Sequence, residues 1–394
     1  MVSEASPPLI SRDTQPAGLC ILQTCSFFSF GGGIQRHIND LSTSLTAHGH
    51  RVIKAGAPGK TSAPEDGSLF LPLQFDRVSD HTANGQLDLV TRLYWLARSA
   101  RTLRKALKAH EVDIIHAHET APLLTARLAS LGMGIPIVMT YHGSSPGRLD
   151  SVARACRKQA DLTICPSETV MQSLLERQVG QDKARVMLLG VRPNPPADPS
   201  AAAALRRDLL GEDGTHLVLS LSRLDHQKGL DAMIEVARRV RQDLPGLRIV
   251  VGGEGVLRGQ VEAWAEEAGV SDIIRFPGVI SDVATYLAAS DLYMLTSRWE
   301  ALPISIVEAF RAGLPVIATD CGGVRELVDS DVGRLCAVDD LDALSQALRD
   351  LCTDRTEYDR LSANATARGA EDRFSPAHVH SGFEKLYRQL AGQG

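Results

Sequence analysis

Short apolar runs rich in Val, Ile and Leu recur along this chain of 394 residues, each followed by a longer segment whose apolar positions have helical spacing. Strands that read as near-continuous apolar runs are buried on both faces, as happens when helices cover both sides of a parallel sheet. Six such runs fall at 18–24, 51–56, 113–117, 135–141, 162–166 and 185–189. Five more fall at 217–221, 247–252, 273–276, 292–296 and 315–319. The alternation occurs twice, which predicts an α/β chain with two separately covered parallel sheets.

Between the two sets lies VRPNPPADP at 191–199, with four prolines in nine residues. Proline fixes its own φ and pushes its predecessor out of the helical region, so this is a stiff connector. It predicts an N-terminal domain over 18–192 and a C-terminal domain over 193–375, preceded by a flexible leader over 1–17. The last segment, 376–394, carries Val379, Phe383, Leu386 and Leu390 at helical spacing. It is expected to form a closing helix, with the N-terminal domain as one candidate surface for it.

Charge and cysteine usage exclude several function classes. Residues 1–192 hold 21 basic and 16 acidic side chains (+5), and residues 193–394 hold 21 and 31 (−10), together −5. A mildly acidic chain argues against a dedicated nucleic-acid binder, which shows a basic excess. The seven cysteines are scattered with no C-x-x-C pair, which fits a reducing cytoplasm better than a disulfide or zinc framework. The first 17 residues lack the apolar core of a secretory signal. No stretch reaches the ~18 uninterrupted apolar residues of a spanning helix.

Residues able to carry chemistry concentrate in the second half. SRLDHQKGL places Arg223 and Lys228 after the run at 217–221, on the carboxyl edge of a strand, where open α/β sheets bind ligands. Two cations there suit a diphosphate; the alternative is a basic solvated loop. Gly252-Gly253-Glu254-Gly255 has the first half of a dinucleotide fingerprint but lacks its third glycine, so it permits close backbone approach without implying a nicotinamide enzyme. In SRWEALPISIVEAFRAGLPVIAT at 297–319, Pro303 and Gly313 bracket a short helix, with Glu300 just before it and Glu308 within it. The N–H groups around Ile304 and Ser305 form an anion site at a helix N-terminus. The carboxylates can accept sugar hydroxyls, the alternative being a capping Glu and a solvated helical Glu.

The pattern of Glu300, seven residues, then Glu308 resembles the paired-glutamate signature of retaining glycosyltransferases of family 4, which have the GT-B fold. The resemblance extends through GGGIQRHINDLSTSLTAHGHRV at 31–52, DIIHAHE at 113–119, PIVMTYHGS at 136–144 and ADLTICPSE at 160–168. It continues through SRLDHQKGL, VVGGEG, FPGV at 276–279 and DCGGVRELV at 320–328. It implies two Rossmann-like doubly wound domains facing across a cleft, the acceptor bound by the first and the donor by the second. By the same resemblance, Arg223 and Lys228 neutralise the donor diphosphate and Glu300 binds the donor sugar. Backbone groups of Leu302, Pro303, Ile304 and Ser305 hold sugar and phosphate, and Glu308 binds ribose. Gly32, Gly33 and Gly253 allow close approach, Val279 lies against the base, and His142 faces the transferred sugar. Ala301-Leu302-Pro303 departs from the Gly-Phe-Gly of many members, which alters the sugar pocket and leaves the sugar open.

His142 without its motif reads as a hydrogen-bonded structural residue, and His37, His116 and His118 are read that way. Asp340 and Asp342 form a D-x-D that is better read as helix-start carboxylates than as a metal motif, so no obligatory metal or cofactor is expected. On a helical wheel, Arg98, Arg101, Arg104, Lys105 and Lys108 of 91–110 share one arc, with Trp95, Leu96, Ala100, Leu103, Ala106 and Leu107 opposite. This is either a surface helix packed by its apolar arc or, in addition, a contact for anionic lipid.

The expected function is retaining, metal-independent transfer of a sugar from a nucleotide-diphosphate sugar to a hydroxyl acceptor. Family frequency favours UDP, with GDP next. The acceptor is a carbohydrate or lipid-linked molecule of polysaccharide, lipopolysaccharide or glycolipid assembly, at a cytoplasmic or peripheral inner-membrane location. Alternatives are a sugar-nucleotide epimerase or phosphorylase of the same architecture, or a non-catalytic sugar-nucleotide-binding protein.

Overall fold

The computed structural model describes residues 18–28, 33–58, 66–73 and 89–392; the leader expected at 1–17 lies outside them. The chain divides into two compact units. The first comprises Met1–His142, Gly147–Gly190 and Pro376–Gly394, and the second Gly143–Pro146 and Val191–Ser375. The division falls at Gly190/Val191, two residues before the boundary expected at 193.

The first unit is built on a seven-stranded parallel sheet. Its strands are β1 (Cys20–Phe28), β2 (Arg51–Pro58), β3 (Leu69–Pro72), β4 (Ile114–Ala117), β5 (Ile137–Thr140), β6 (Leu162–Cys165) and β7 (Ala184–Val186). They lie in the order β3-β2-β1-β4-β5-β6-β7. The second unit has a six-stranded parallel sheet of β8 (His216–Leu221), β9 (Leu247–Gly252), β10 (Ile274–Gly278), β11 (Leu292–Leu295), β12 (Val316–Thr319) and β13 (Gly333–Cys336). Their order is β10-β9-β8-β11-β12-β13. Both sheets are doubly wound. In each, the strand order reverses beside the first strand, between β1 and β4 in one unit and between β8 and β11 in the other. Loops leaving the carboxyl ends on either side of such a reversal diverge and open a crevice for ligand.

The inner strands β4, β5, β6, β11 and β12 are buried at all four positions, which is why they are legible as apolar runs. The edge strands β3 and β13, each only half covered, escape that reading because an edge strand needs neither length nor continuous hydrophobicity. An aspartate placed just before a strand recurs as a device for the neighbouring strand's first N–H groups. Asp113 accepts from Cys20 N at 2.7 Å, Asp161 from Ile137 N at 2.8 Å and Asp291 from Leu217 N at 2.8 Å. Each satisfies a donor that would otherwise lack a ladder partner.

The helix Pro376–Leu390 belongs to the first unit. Its Val379, Phe383, Leu386 and Tyr387 are buried with Leu19, Ile21, Leu41, Val52 and Ile114 in one core cluster. Glu384 on the same helix bonds His48 at 2.8 Å and Arg388 at 3.0 Å. In the helix Leu89–Ala109, Ala100, Leu103, Ala106 and Leu107 are buried, while Arg98, Arg101, Lys105 and Lys108 are exposed. Arg104 is held by the carbonyls of Ala129 and Leu131, at 2.7 and 2.8 Å. Among the described residues no helix is long and apolar enough to cross a membrane.

Candidate active site

In the second unit the loops after β8 and β11 bring Lys228 and Glu300 together. Lys228 closes a single 3-10 turn, His226–Lys228, that Asp225 caps by accepting from Gln227 N. Gly229 follows at φ 58°, and a Cβ there would lie 2.1 Å from Thr296 O. Only glycine lets the turn approach the β11 loop so closely. Thr296 then donates its hydroxyl to the carbonyls of Lys228 and Gly229, at 3.0 and 2.9 Å. With its backbone clamped in this way, Lys228 places Nζ 2.5 Å from Glu300 Oε1. The two side chains are 13% and 8% exposed, so this is a pair largely removed from water.

Glu300 has further fixed donors. Ser297 Oγ donates to Oε1 at 2.7 Å, and Gln227 Nε2 lies 3.4 Å from Oε2. From the far side, Gly322 at φ 53° packs so closely that a Cβ would come within 1.8 Å of Glu300 O. Thr319 and Cys321 both bond the carbonyl of Ser297. The carboxylate is therefore set by three loops, those after β8, β11 and β12.

Arg223 is 57% exposed and does not touch Lys228 or Glu300 directly. It bonds Asp225 at 3.2 Å and Gln227 Oε1 at 2.8 Å. Gln227 in turn donates to Trp299 O at 2.8 Å, so this one amide joins the guanidinium to the Glu300 loop.

Pro303 is the N-cap of the eight-residue helix Ile304–Arg311, and no side chain caps it. The first-turn amides of Ile304 and Ser305 have no intrahelical acceptor, as in any helix. Leu302 is buried. Glu308 is 5% exposed; it is not the solvated helical glutamate that was the alternative. Val279, just past β10, is 70% exposed. Gly253 has φ 146°, and a Cβ would lie 1.9 Å from Ser222 O. The close approach that demands glycine here is to the Arg223 loop itself. Asp340 caps the helix Leu341–Thr353 by accepting from Ala343 N at 3.0 Å, and Asp342 pairs with Arg239.

His142 and Gly33 lie in the first unit. Gly33 opens the helix Gly33–Ala47, and Gly32 lies outside the described residues. His142 follows β5, partly buried, and its Nε2 is 3.0 Å from His118 Nδ1. It belongs to a cluster with His37, whose ring centroid is 5.8 Å from both His118 and His142. The ring centroids of His116 and His118 lie 4.1 Å apart, with the planes tilted by 37°. Burial lowers the pKa of all four imidazoles, that of His116 to about 3. Their neighbours Gln23 and Tyr387 are buried and hydrogen-bonded to them. Sequence reading missed Gln227, Ser297, Gln23 and the place of His118. The period-two spacing of His116/His118 and Thr140/His142, at the ends of adjacent strands, was the available signal for the last of these.

Comparison with known proteins agrees with this architecture. The family described as Glycosyltransferase Family 4 matches residues 31–194, and that described as Glycosyl transferases group 1 matches residues 203–368. The phosphatidyl-myo-inositol mannosyltransferase of Mycobacterium tuberculosis is 28% identical over 387 residues, covering 93% of this chain and 96% of the relative. The alpha-monoglucosyldiacylglycerol synthase of Streptococcus pneumoniae is 26% identical over 318 residues, covering 75% of this chain and 70% of the relative. The crystal structure of HepE from Anabaena in complex with UDP and glucose superposes with a TM-score of 0.79 at 20% identity, covering 94% of this chain and all of that one. This last likeness is one of fold.

Proposed function

The chain belongs to glycosyltransferase family 4, of the two-domain Rossmann-like GT-B fold, and from that premise we propose that it transfers a sugar from a nucleotide-diphosphate sugar to a lipid-linked hydroxyl acceptor. The observation that carries this reading is the Lys228–Glu300 pair beside the strand-order reversal of the second sheet. A diphosphate arriving there finds a cation already in place, with Arg223 beside it on the same loop. Glu300 is then released to accept hydroxyls of the sugar. Transfer builds negative charge on the departing diphosphate, and preorganised cations with a helix N-terminus lower that barrier. The second unit is acidic overall, so these local charges must outweigh its net charge. Because the cations occupy that role, we propose that no metal is obligatory. We further propose same-face displacement with retention at the anomeric carbon. UDP is the favoured nucleotide, in keeping with the HepE complex, which holds UDP.

Binding is tested first without added metal and in the presence of EDTA. UDP at 100 times its dissociation constant is expected to stabilise by ~2.7 kcal/mol and to raise Tm by about 5–10 °C. A panel of UDP, GDP and ADP with their sugars identifies the donor. No shift with any of them rejects the donor site. A shift without transfer from any sugar favours the non-catalytic reading.

The two relatives described above carry lipids in their names, phosphatidyl-myo-inositol in one and diacylglycerol in the other, which supports a glycolipid acceptor here. The exposed Arg98, Arg101, Lys105 and Lys108, with exposed Leu93 and Tyr94 on the same helix, support contact with an anionic bilayer. The protein is expected to float with phosphatidylserine vesicles and not with neutral ones. At ~1 kcal/mol per basic residue near the surface, R98E/R101E/K105E should weaken that binding by about 100-fold or more. Equal partitioning to both vesicle types would reject membrane contact.

A further inference from the structure

Six buried or partly buried side chains of the first unit form one hydrogen-bonded chain across β1, β4, β5 and the helix Pro376–Leu390. His142 Nε2 meets His118 Nδ1 at 3.0 Å, and His118 Nε2 meets Gln23 Oε1 at 2.7 Å. Gln23 Nε2 faces Tyr387 Oη at 3.4 Å, which meets His116 Nδ1 at 2.6 Å. His116 Nε2 ends the chain on Thr140 Oγ1 at 2.7 Å. The pairing β1–β4, with Gln23 opposite His116, sets these groups side by side on one face of the sheet.

Each link needs one donor and one acceptor, and a neutral imidazole supplies one of each. The placement of the Gln23 amide sets the direction: with its oxygen toward His118 and its nitrogen toward Tyr387 the bonds run one way, and the amide turned by 180° would run all of them the other way. Its oxygen can only accept, so His118 Nε2 carries the proton and His118 Nδ1 the lone pair. His142 Nε2 must then be the donor to His118. On the other side, the Gln23 amide nitrogen donates to Tyr387, whose hydroxyl proton goes to His116 Nδ1, and His116 Nε2–H goes to Thr140. Every donor meets an acceptor in this direction. A mixed direction would leave two donors or two acceptors facing each other inside the core, at a cost of about 1–3 kcal/mol.

We infer that Gln23 and His118 are positioning residues that hold His142 as its Nε2–H tautomer, leaving Nδ1 as a hydrogen-bond acceptor for a sugar hydroxyl. The inference rests on the proposed sugar transfer for the identity of that hydroxyl, and on the hydrogen-bonded chain alone for the tautomer. Nδ1 has no hydrogen-bond partner among the described residues, and the His142 side chain is only partly buried. An accepting nitrogen suits a sugar hydroxyl and gives nothing to a phosphate oxygen, which itself only accepts. The tautomer follows from residues that never touch the ligand, because the nitrogen a histidine presents is fixed by the bond its other nitrogen makes.

The test is long-range ¹H–¹⁵N correlation on the full chain with ¹⁵N-labelled histidine, with resonances assigned by His142→Gln and His118→Gln. The ligand-free protein at pH 7.5 is expected to show His142 and His118 both protonated on Nε2 alone. Protonation of His142 on Nδ1 would overturn the proposal, because rotating the Gln23 amide reverses every bond in the chain. Gln23→Met removes the directing group and should turn the single His142 tautomer into a mixture. It should also lower kcat/KM for transfer about two- to tenfold, the worth of one such bond. A Gln23→Met protein that keeps one His142 tautomer would overturn the role of Gln23. The spectrum is read without donor or acceptor, so absence of transfer with any nucleotide sugar would reject the proposed function and leave the tautomer result standing.

Discussion

Lys228→Ala is expected to lower kcat/KM for sugar transfer by about 10²–10³-fold, the loss measured when one preorganised group facing developing negative charge is removed, or ~3–4 kcal/mol of transition-state stabilisation. The expectation rests on geometry that leaves Lys228 little freedom. Its backbone is clamped by Thr296, and its ammonium is held against Glu300 with little water around either. A charge held in place reorganises little when the leaving diphosphate develops its own. Glu300→Gln should lose transfer to a similar extent. The amide keeps the size and the contact with Ser297, but it no longer holds Lys228 or accepts sugar hydroxyls with full charge. Breaking a largely buried pair also costs stability, up to about 3–5 kcal/mol when one partner is left uncompensated. Each variant is therefore measured for Tm beside turnover, and the loss of kcat/KM is read at a temperature where both proteins are folded. Near-normal turnover in either folded variant would remove the pair from the site.

Acid is expected to destabilise the first unit at a pH where most carboxylates are still ionised. His37, His116 and His118 are buried, and burial, with the neighbouring imidazoles adding to it, keeps all three neutral far below their usual range. In the unfolded chain each titrates near 6.5. Between the lowered folded pKa and 6.5 the unfolded chain binds more protons, so stability falls as pH drops through 6.5 and keeps falling until the folded rings titrate. At pH 5.5 each ring costs about 1.4 kcal/mol, and the three together about 4 kcal/mol, against a typical total stability of ~5–15 kcal/mol. Urea unfolding at pH 7.5 and 5.5 measures the difference, and amide hydrogen exchange assigns it. Protection should fall in β1, β4 and β5 and change less in β8, β9 and β11, which carry no such cluster. An unfolding midpoint independent of pH between 7.5 and 5.5 would show that these rings are not held neutral by the fold.

How much of this could be read from the sequence differs from element to element. The inner strands were legible because burial on both faces leaves a run such as Ile114-Ile115-His116-Ala117 with little room for polarity. The edge strands Leu69–Pro72 and Gly333–Cys336 were not, because half-covered four-residue segments carry too few constraints to stand out. Among candidate site residues, Lys228 stood out by its type on the loop after β8, and Glu300 and Glu308 by their type and spacing along the loop and helix after β11. Gly253 was singled out for close approach to a ligand, and the structure adds its close approach to Ser222; Gly322, not singled out as a site residue, packs against Glu300.

What the amino-acid sequence determined by itself is local or periodic: two runs of strand–helix alternation, a proline-rich connector, the helix-starting Asp340 and the helix that follows Pro303. What only tertiary structure decided is which distant groups meet. Lys228 and Glu300 are 72 positions apart, His118 and Gln23 are 95 apart, and Gln23 and Tyr387 are 364 apart. Their meeting depends on strand order and register, through which β8 lies beside β11 and β1 beside β4. Register places a whole row of side chains at once, so a partly buried lysine acquires its carboxylate, and a histidine its tautomer, from residues that no local pattern could have paired with them.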